Sequence, residues 1–181
     1  MTIGENGVLT GGPYIPSPNF DARPGDVEIS LLVIHGISLP PDRFGGDEVA
    51  RLFTNTLDCT AHPYFETLRG ARVSAHFYIR RSGRVLQFVC CNQRAWHAGA
   101  SRWRGQERCN DFSIGIELEG TDHVPYADAQ YASLAQLTFA LRQRYPLVDI
   151  VGHSDIAPDR KTDPGEAFDW DRFRTLLSAL S

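Results

Sequence analysis

Hydrophobic positions along the chain change period several times, and each change marks an element. Glu28–His35, EISLLVIH, is a short β-branched apolar run ended by Gly36, which reads as a strand buried on both faces. After the loop GISLPPDRFGG, the segment DEVARLFTNTL sets Val49, Leu52 and Phe53 at helical spacing behind Asp47, a candidate cap. RVSAHFYIRRSGRVLQFVC reads as two strands around a Ser82-Gly83 turn. In NDFSIGIELEG the alternation places Phe112, Ile114, Ile116 and Leu118 on one face and Ser113, Gly115, Glu117 and Glu119 on the other. DAQYASLAQLTFALRQRYP carries Tyr131, Leu134, Leu137 and Leu141 along one stripe and stops at Pro146, as an amphipathic helix does. The short strand VDIV then delivers Gly152-His153, and DWDRFRTLLSALS makes a terminal helix.

Interleaved strands and helices predict an α/β chain with a central mixed β-sheet flanked by α-helices. With no repeat, low-complexity block or linker, residues 1–181 read as a single domain, with the Gly/Pro-rich first twenty residues wrapped over its surface. The long segment from Gly36 to about Tyr64, with Pro40-Pro41 and Gly45-Gly46, is expected to flank a cleft and to be among the more mobile parts.

Charge narrows the function classes. A formal net charge of −4 offers no clustered Lys and Arg for a phosphate backbone, so nucleic acid is not an expected partner. The N-terminal MTIGENGVLTGGPYIPSPNF lacks the basic and apolar regions of an export signal, and no run reaches the roughly 20 apolar residues of a membrane span. A cytoplasmic protein without membrane attachment is the expectation. Cys59, Cys90, Cys91 and Cys109 form no C-x-x-C pair and read as free thiols.

Chemistry concentrates in GHSDIAPDRKTDPGEAFDW, where a histidine, a lysine and an aspartate share one loop. His35 and His153 both fall where a strand runs out into a loop, and ligand crevices in open α/β sheets lie at such strand ends. Asp163 follows His153 by one loop. Two neutral imidazoles and a carboxylate would leave a tetrahedral zinc one open position for water. Spacing alone keeps His62 and His76 as competing ligands, and it reads Glu117 as a solvent-facing strand carboxylate and Lys161 as a loop-tip charge.

LLVIHGISLPP, AHPYFETL, RVSAHF, RAWHAG, ERCNDFSIGIELEGTD, YADAQY and GHSDIAPDRKTDPGEAFDW occur in order over nearly the whole chain. Together they resemble the type-2 zinc amidase and peptidoglycan recognition protein family, above all its cytosolic members in Gram-negative bacteria. The resemblance implies one Zn²⁺ per chain held by His35, His153 and Asp163, with Glu117 and Lys161 as the catalytic pair. It implies a monomer that hydrolyses the amide between anhydro-N-acetylmuramic acid and L-alanine in recycled muropeptides, a process that in family members affects β-lactamase induction. Trp96 is then a surface for the sugar, and Arg72 and Arg108 are partners for the stem carboxylates. His76 and His97 read as scaffold. Two positions depart from the family pattern: Gly36 stands where asparagine is expected, and Ser154 where cysteine is common.

Other functions use similar residues. A peptidoglycan-binding module of this fold would lack metal ligands, yet the ligand set, the glutamate and the lysine are all present. A non-haem iron oxygenase also uses two histidines and a carboxylate, but it gives Lys161 no role. A periplasmic amidase acting on the intact wall would call for the export signal missing above.

Overall fold

Parallel pairing between strands far apart in sequence sets where every functional side chain lies. The computed structural model describes residues 1–25 and 27–180. Its elements run β1 (Phe20–Ala22), β2 (Leu31–Ile37), α1 (Glu48–Phe53), α2 (Pro63–Glu66), β3 (Phe77–Ile79), β4 (Val85–Gln87), β5 (Gln93–Ala95), β6 (Arg102–Trp103), β7 (Gln106–Glu107), β8 (Ser113–Glu119), α3 (Asp128–Arg142), β9 (Asp149–Gly152), α4 (His153–Ile156) and α5 (Trp170–Ser178). The main sheet has the order β4-β3-β8-β2-β9. β3-β8, β8-β2 and β2-β9 are parallel and β3-β4 is antiparallel, so the sheet is mixed, as expected. The β3-β4 hairpin turns at Gly83, whose φ of 82° suits a residue without a Cβ.

Both faces of the sheet are covered. Leu32, Ile34, Phe77, Ile79, Ile114, Ile116 and Leu118 pack against Tyr131, Leu134, Leu137 and Leu141 of α3 and Phe173 and Leu177 of α5. The opposite face carries Leu31, Val33, Ala98, Cys109, Phe112, Val151 and Ile156. A further cluster joins Tyr78, Leu86 and Phe88 to Val49, Leu52 and Phe53 of α1 and Phe65 of α2. Fully burying one such side chain is worth about 1.5–3 kcal/mol, so these layers fix the strand register. The N-terminal segment does more than wrap the surface. Ile3 and Leu9 enter the core, and Gln87 donates to Gly7 O while accepting from Leu9 N.

Two local readings change. β2 does not stop at Gly36, because β8 runs on beside it and pairs Gly36 with Leu118 and Ile37 with Glu119. Asp47 precedes α1 without a capping hydrogen bond, since its carboxylate is taken by Arg80. Arg80 also donates to Gly45 O and Gly46 O, and Gly45 N donates to Glu119, so the segment after β2 is anchored midway. Among the described residues no helix is long and apolar enough to cross a membrane.

Candidate metal centre and cleft

The register brings three chemical groups to one level. Within β2 and β8, His35 sits directly opposite Glu117. On the other flank Ile34 pairs with Gly152, so His153 emerges beside His35 as β9 ends. Gly152 N donates to Asp155 Oδ2 at 2.7 Å, which turns the chain sharply into α4. The loop then returns: Ser154 N donates to Asp163 O at 2.9 Å and sets that aspartate beside the histidines.

His35 Nδ1 lies 2.9 Å from His153 Nδ1, while Asp163 Oδ2 is 3.3 Å from the first and 3.1 Å from the second. His153 Nε2 faces the Ala98 carbonyl oxygen at 3.3 Å. A carbonyl only accepts, so the proton of this ring belongs on Nε2 and Nδ1 offers a lone pair. His35 Nε2 faces His97 Nδ1 at 2.9 Å, and when His35 donates in that contact its Nδ1 also offers a lone pair. With the His35 proton on Nε2, three acceptor atoms would converge here, an arrangement a cation relieves; without a cation, an imidazole proton on Nδ1 can be shared with Asp163 instead. Ligands about 2.0–2.1 Å from a tetrahedral zinc stand about 3.3 Å apart, close to the separations here. The donor set therefore fits the metal, and these three are the His/Asp cluster able to hold one among the described residues.

Charge states agree with this. Burial first, and the neighbouring His153 and Lys161 after it, pull His35 down to about 4 against the opposing pull of Asp163, so the ring is neutral at pH 7. Burial would raise Asp163, but the two imidazoles beside it outweigh that and hold it below the usual carboxylate range. Glu117 goes the other way. Burial, then the Asp163 carboxylate, push it well above the ordinary range, against the pull of Lys161. It is 9% exposed rather than solvent-facing, because the sheet face that carries it is covered. Its Oε2 has no hydrogen-bond partner among the described residues, and its Oε1 is 4.0 Å from His35 Nδ1. A buried carboxyl group with an unpaired oxygen at the edge of a cleft is poised to exchange a proton with a bound molecule.

Glu117, Lys161, His153, Asp163 and Trp96 all line a cleft of about 670 Å³. The apolar wall comes from Leu39, Tyr64, Leu68, Ala71, Val73 and Trp96. Arg72 and Arg108 are not in that lining. Arg72 faces a hollow that shares Leu52, Leu68 and Ala71 with the cleft, and Arg108 faces one that shares Arg160. Arg160 and Lys161 are the cations at the cleft itself. His62 stays apart from the centre, accepting from Tyr64 N at the start of α2, and His76 is buried between Gly115 N and Gln93 O.

Some contributors escaped the sequence reading. His97 touches His35 directly, and burial followed by its charged or polar neighbours keeps it neutral. A signal for it was present: Gly115 lies in the strand face that carries Glu117, and a strand glycine marks close approach of another group. A Cβ there would lie 2.5 Å from the His97 ring. Gly36 is similar. It leaves room inside a paired strand for the Tyr126 hydroxyl, which donates to Pro164 O at 2.9 Å.

The fold, the donor triad and the buried acid beside it define a metal-site hydrolase. A family model described as N-acetylmuramoyl-L-alanine amidase matches residues 25–166, and the chain belongs to that family. The 1,6-anhydro-N-acetylmuramyl-L-alanine amidase AmpD of Escherichia coli (strain K12) is 57% identical over 176 residues, 96% of either chain. AmpD of Citrobacter freundii is 55% identical over 179 residues, covering 98% of this chain and 96% of its own. The crystal structure of a selenomethionine AmpD derivative superposes with a TM-score of 0.95 at 55% identity, covering 98% of this chain and 99% of that one. Escherichia coli AmiD, in complex with its substrate anhydro-N-acetylmuramic acid-L-Ala-D-γ-Glu-L-Lys, gives a TM-score of 0.60 at 31% identity, covering 85% of this chain and 60% of that one.

Proposed function

We propose that this amidase hydrolyses the bond between the lactyl carbonyl of anhydro-N-acetylmuramic acid and the nitrogen of L-alanine, using one Zn²⁺ held by His35, His153 and Asp163. The observation that carries the reading is the convergence of His35 Nδ1, His153 Nδ1 and Asp163 Oδ2, 2.9–3.3 Å apart, beside the unpaired oxygen of Glu117. When bound there, zinc supplies a Lewis acid that lowers the pKa of water from about 15.7 towards about 7 and polarises a carbonyl.

The chain's own groups do the rest. Glu117 takes a proton from the attacking water and returns it to the departing alanine nitrogen, so that amide and water become carboxylic acid and amine. Its raised proton affinity suits both transfers. Lys161 places a cation where the carbonyl oxygen becomes negative, a contact typically worth about 3–4 kcal/mol in the transition state. Trp96 and the apolar wall receive the sugar, and an indole offers it a flat face. Arg72 and Arg108, in the adjoining hollows, are the partners for stem-peptide carboxylates that extend beyond the cleft. The substrate named for AmiD supports the same chemical class here. Every one of these residues comes from a single chain, so a monomer suffices. The likeness to cytosolic amidases, together with four unpaired cysteines, supports a cytoplasmic site of action.

The test is incubation with anhydro-muropeptide, with and without a chelator, followed by mass analysis. The reading expects free stem peptide and anhydro-sugar only with zinc present, and a chelated protein that stays folded, because a chain of this length has its own core. Equal release in excess chelator would reject the metal's role.

A further inference from the structure

On the side away from Asp163, the two histidines at the centre both meet one dipeptide. His35 Nε2 faces His97 Nδ1 at 2.9 Å, and His153 Nε2 faces the carbonyl oxygen of Ala98 at 3.3 Å. Both backbone N–H groups of that dipeptide donate to a single atom, Asn110 Oδ1, at 3.1 Å from His97 N and 2.8 Å from Ala98 N. On its far side the His97 ring has Nε2 3.2 Å from Ser113 Oγ and packs on Gly115, where no side chain fits. His97, Ala98, Asn110 and Ser113 are all buried.

These contacts bias where each proton sits. The Ala98 carbonyl holds the His153 proton on Nε2. The His97 ring does the same for His35 when its own proton points to Ser113, and Ser113 Oγ is there to accept it. Both rings then turn their Nδ1 lone pairs to the same point. We propose that the His97-Ala98 dipeptide, held by Asn110, is the positioning element that sets the tautomer and ring orientation of both histidine ligands. This rests on reading His35, His153 and Asp163 as the ligands. Partners of this kind raise ligand basicity, and losing one typically costs 10–100-fold in metal affinity. Routing both through one dipeptide couples them, so a change at Asn110, which touches neither ligand, reaches both.

The experiment measures zinc affinity by competition against a chromophoric chelator and records the visible spectrum of the Co²⁺-substituted protein. His97→Phe keeps a ring and removes the acceptor, whereas His97→Asn puts Oδ1 where Nδ1 was in a smaller side chain. Asn110→Leu removes the acceptor for both N–H groups, and Asn110→Asp keeps it. The proposal expects His97→Phe and Asn110→Leu to lose about 10–100-fold in zinc affinity and to alter the cobalt spectrum. His97→Asn and Asn110→Asp should stay within a few-fold of wild type, even where their metal-free melting temperatures fall further. Affinities that simply track metal-free stability across the four variants would overturn it, as would a His97→Phe protein with wild-type affinity and spectrum. Failure of the ligand reading itself has a separate signature: His153→Ala would bind zinc like wild type.

Discussion

Gly36→Ala probes the packing that links the strand carrying His35 to the loop carrying Asp163. A Cβ on Gly36 would lie 2.3 Å from Tyr126 Oη but 3.6 Å from Tyr126 Cζ and 3.6 Å from Pro164 Cα, so only the hydroxyl obstructs it. To restore ordinary contact the hydroxyl must retreat by about 1 Å. It has little freedom to do so. The ring stands edge-on to Phe168 at 5.5 Å and to Tyr131 at 6.5 Å, and a Cβ on Gly120 would lie 2.2 Å from its Cε1. Overpacking of this kind costs about 1–3 kcal/mol, and stretching the Tyr126–Pro164 hydrogen bond about 1 kcal/mol more. The reduced entropy of the unfolded chain returns only about 0.4–1 kcal/mol. The clash wins, and Gly36→Ala should destabilise by about 2–3 kcal/mol. Tyr126→Phe alone should cost about 1 kcal/mol for the lost hydrogen bond. In the double variant the obstruction is gone, so the alanine costs nothing further and the two changes couple by about 2 kcal/mol. Urea unfolding of the four metal-free proteins measures this directly. Additivity within about 0.5 kcal/mol would refute the reasoning. Because Pro164 follows Asp163, Gly36→Ala should also weaken zinc binding, and Tyr126→Phe should restore it in the double variant.

Further outcomes follow from the same geometry. Glu117→Gln removes the proton carrier but not a ligand, so zinc should stay bound while kcat falls about 10²- to 10⁴-fold, measured by turnover of anhydro-muropeptide alongside metal content. Lys161→Ala should lower kcat more than it raises KM, since its charge is needed most in the transition state; an unchanged kcat would remove it from the mechanism. Glu119→Gln weakens the anchor on Gly45 N, and hydrogen exchange at Gly45 should accelerate while the main sheet stays protected. His76 gives a pH test. Burial, then the Arg23 guanidinium, push it down to about 3 in the native protein against an ordinary value of 6.5. Between those values the unfolded chain holds a proton that the native protein refuses, so stability is complete above about pH 6.5 and falls as pH drops. The slope from this one group approaches about 1.4 kcal/mol per pH unit. His76→Gln should flatten the stability profile between pH 6 and 4 by about that amount, and identical slopes in the two proteins would count against a neutral His76.

Local pattern alone determined the order of the five main-sheet strands and of α1, α3 and α5, but not the short β1, β5, β6, β7, α2 and α4. The alternation of Ile114, Ile116 and Leu118 and the stripe of Tyr131, Leu134, Leu137 and Leu141 needed no tertiary contact to be seen, because a side chain's face follows from the backbone period; Phe112, expected on the same face, precedes β8 and packs in the opposite cluster. The motifs around His35, Glu117, His153, Lys161 and Asp163 pointed to the same centre through family resemblance. What they could not show was depth. Glu117 looked solvent-facing because alternation separates two faces but does not say what covers each; the elements that bury it come from remote parts of the chain. The parallel register that puts His35, Glu117 and His153 level is likewise a long-range choice, decided by which apolar layers interlock. His97, Asn110 and Tyr126 were hidden for the same reason. His97 and Tyr126 fill spaces left by Gly115 and Gly36, and a strand glycine marks such a space in the sequence without naming the side chain that arrives from elsewhere to fill it.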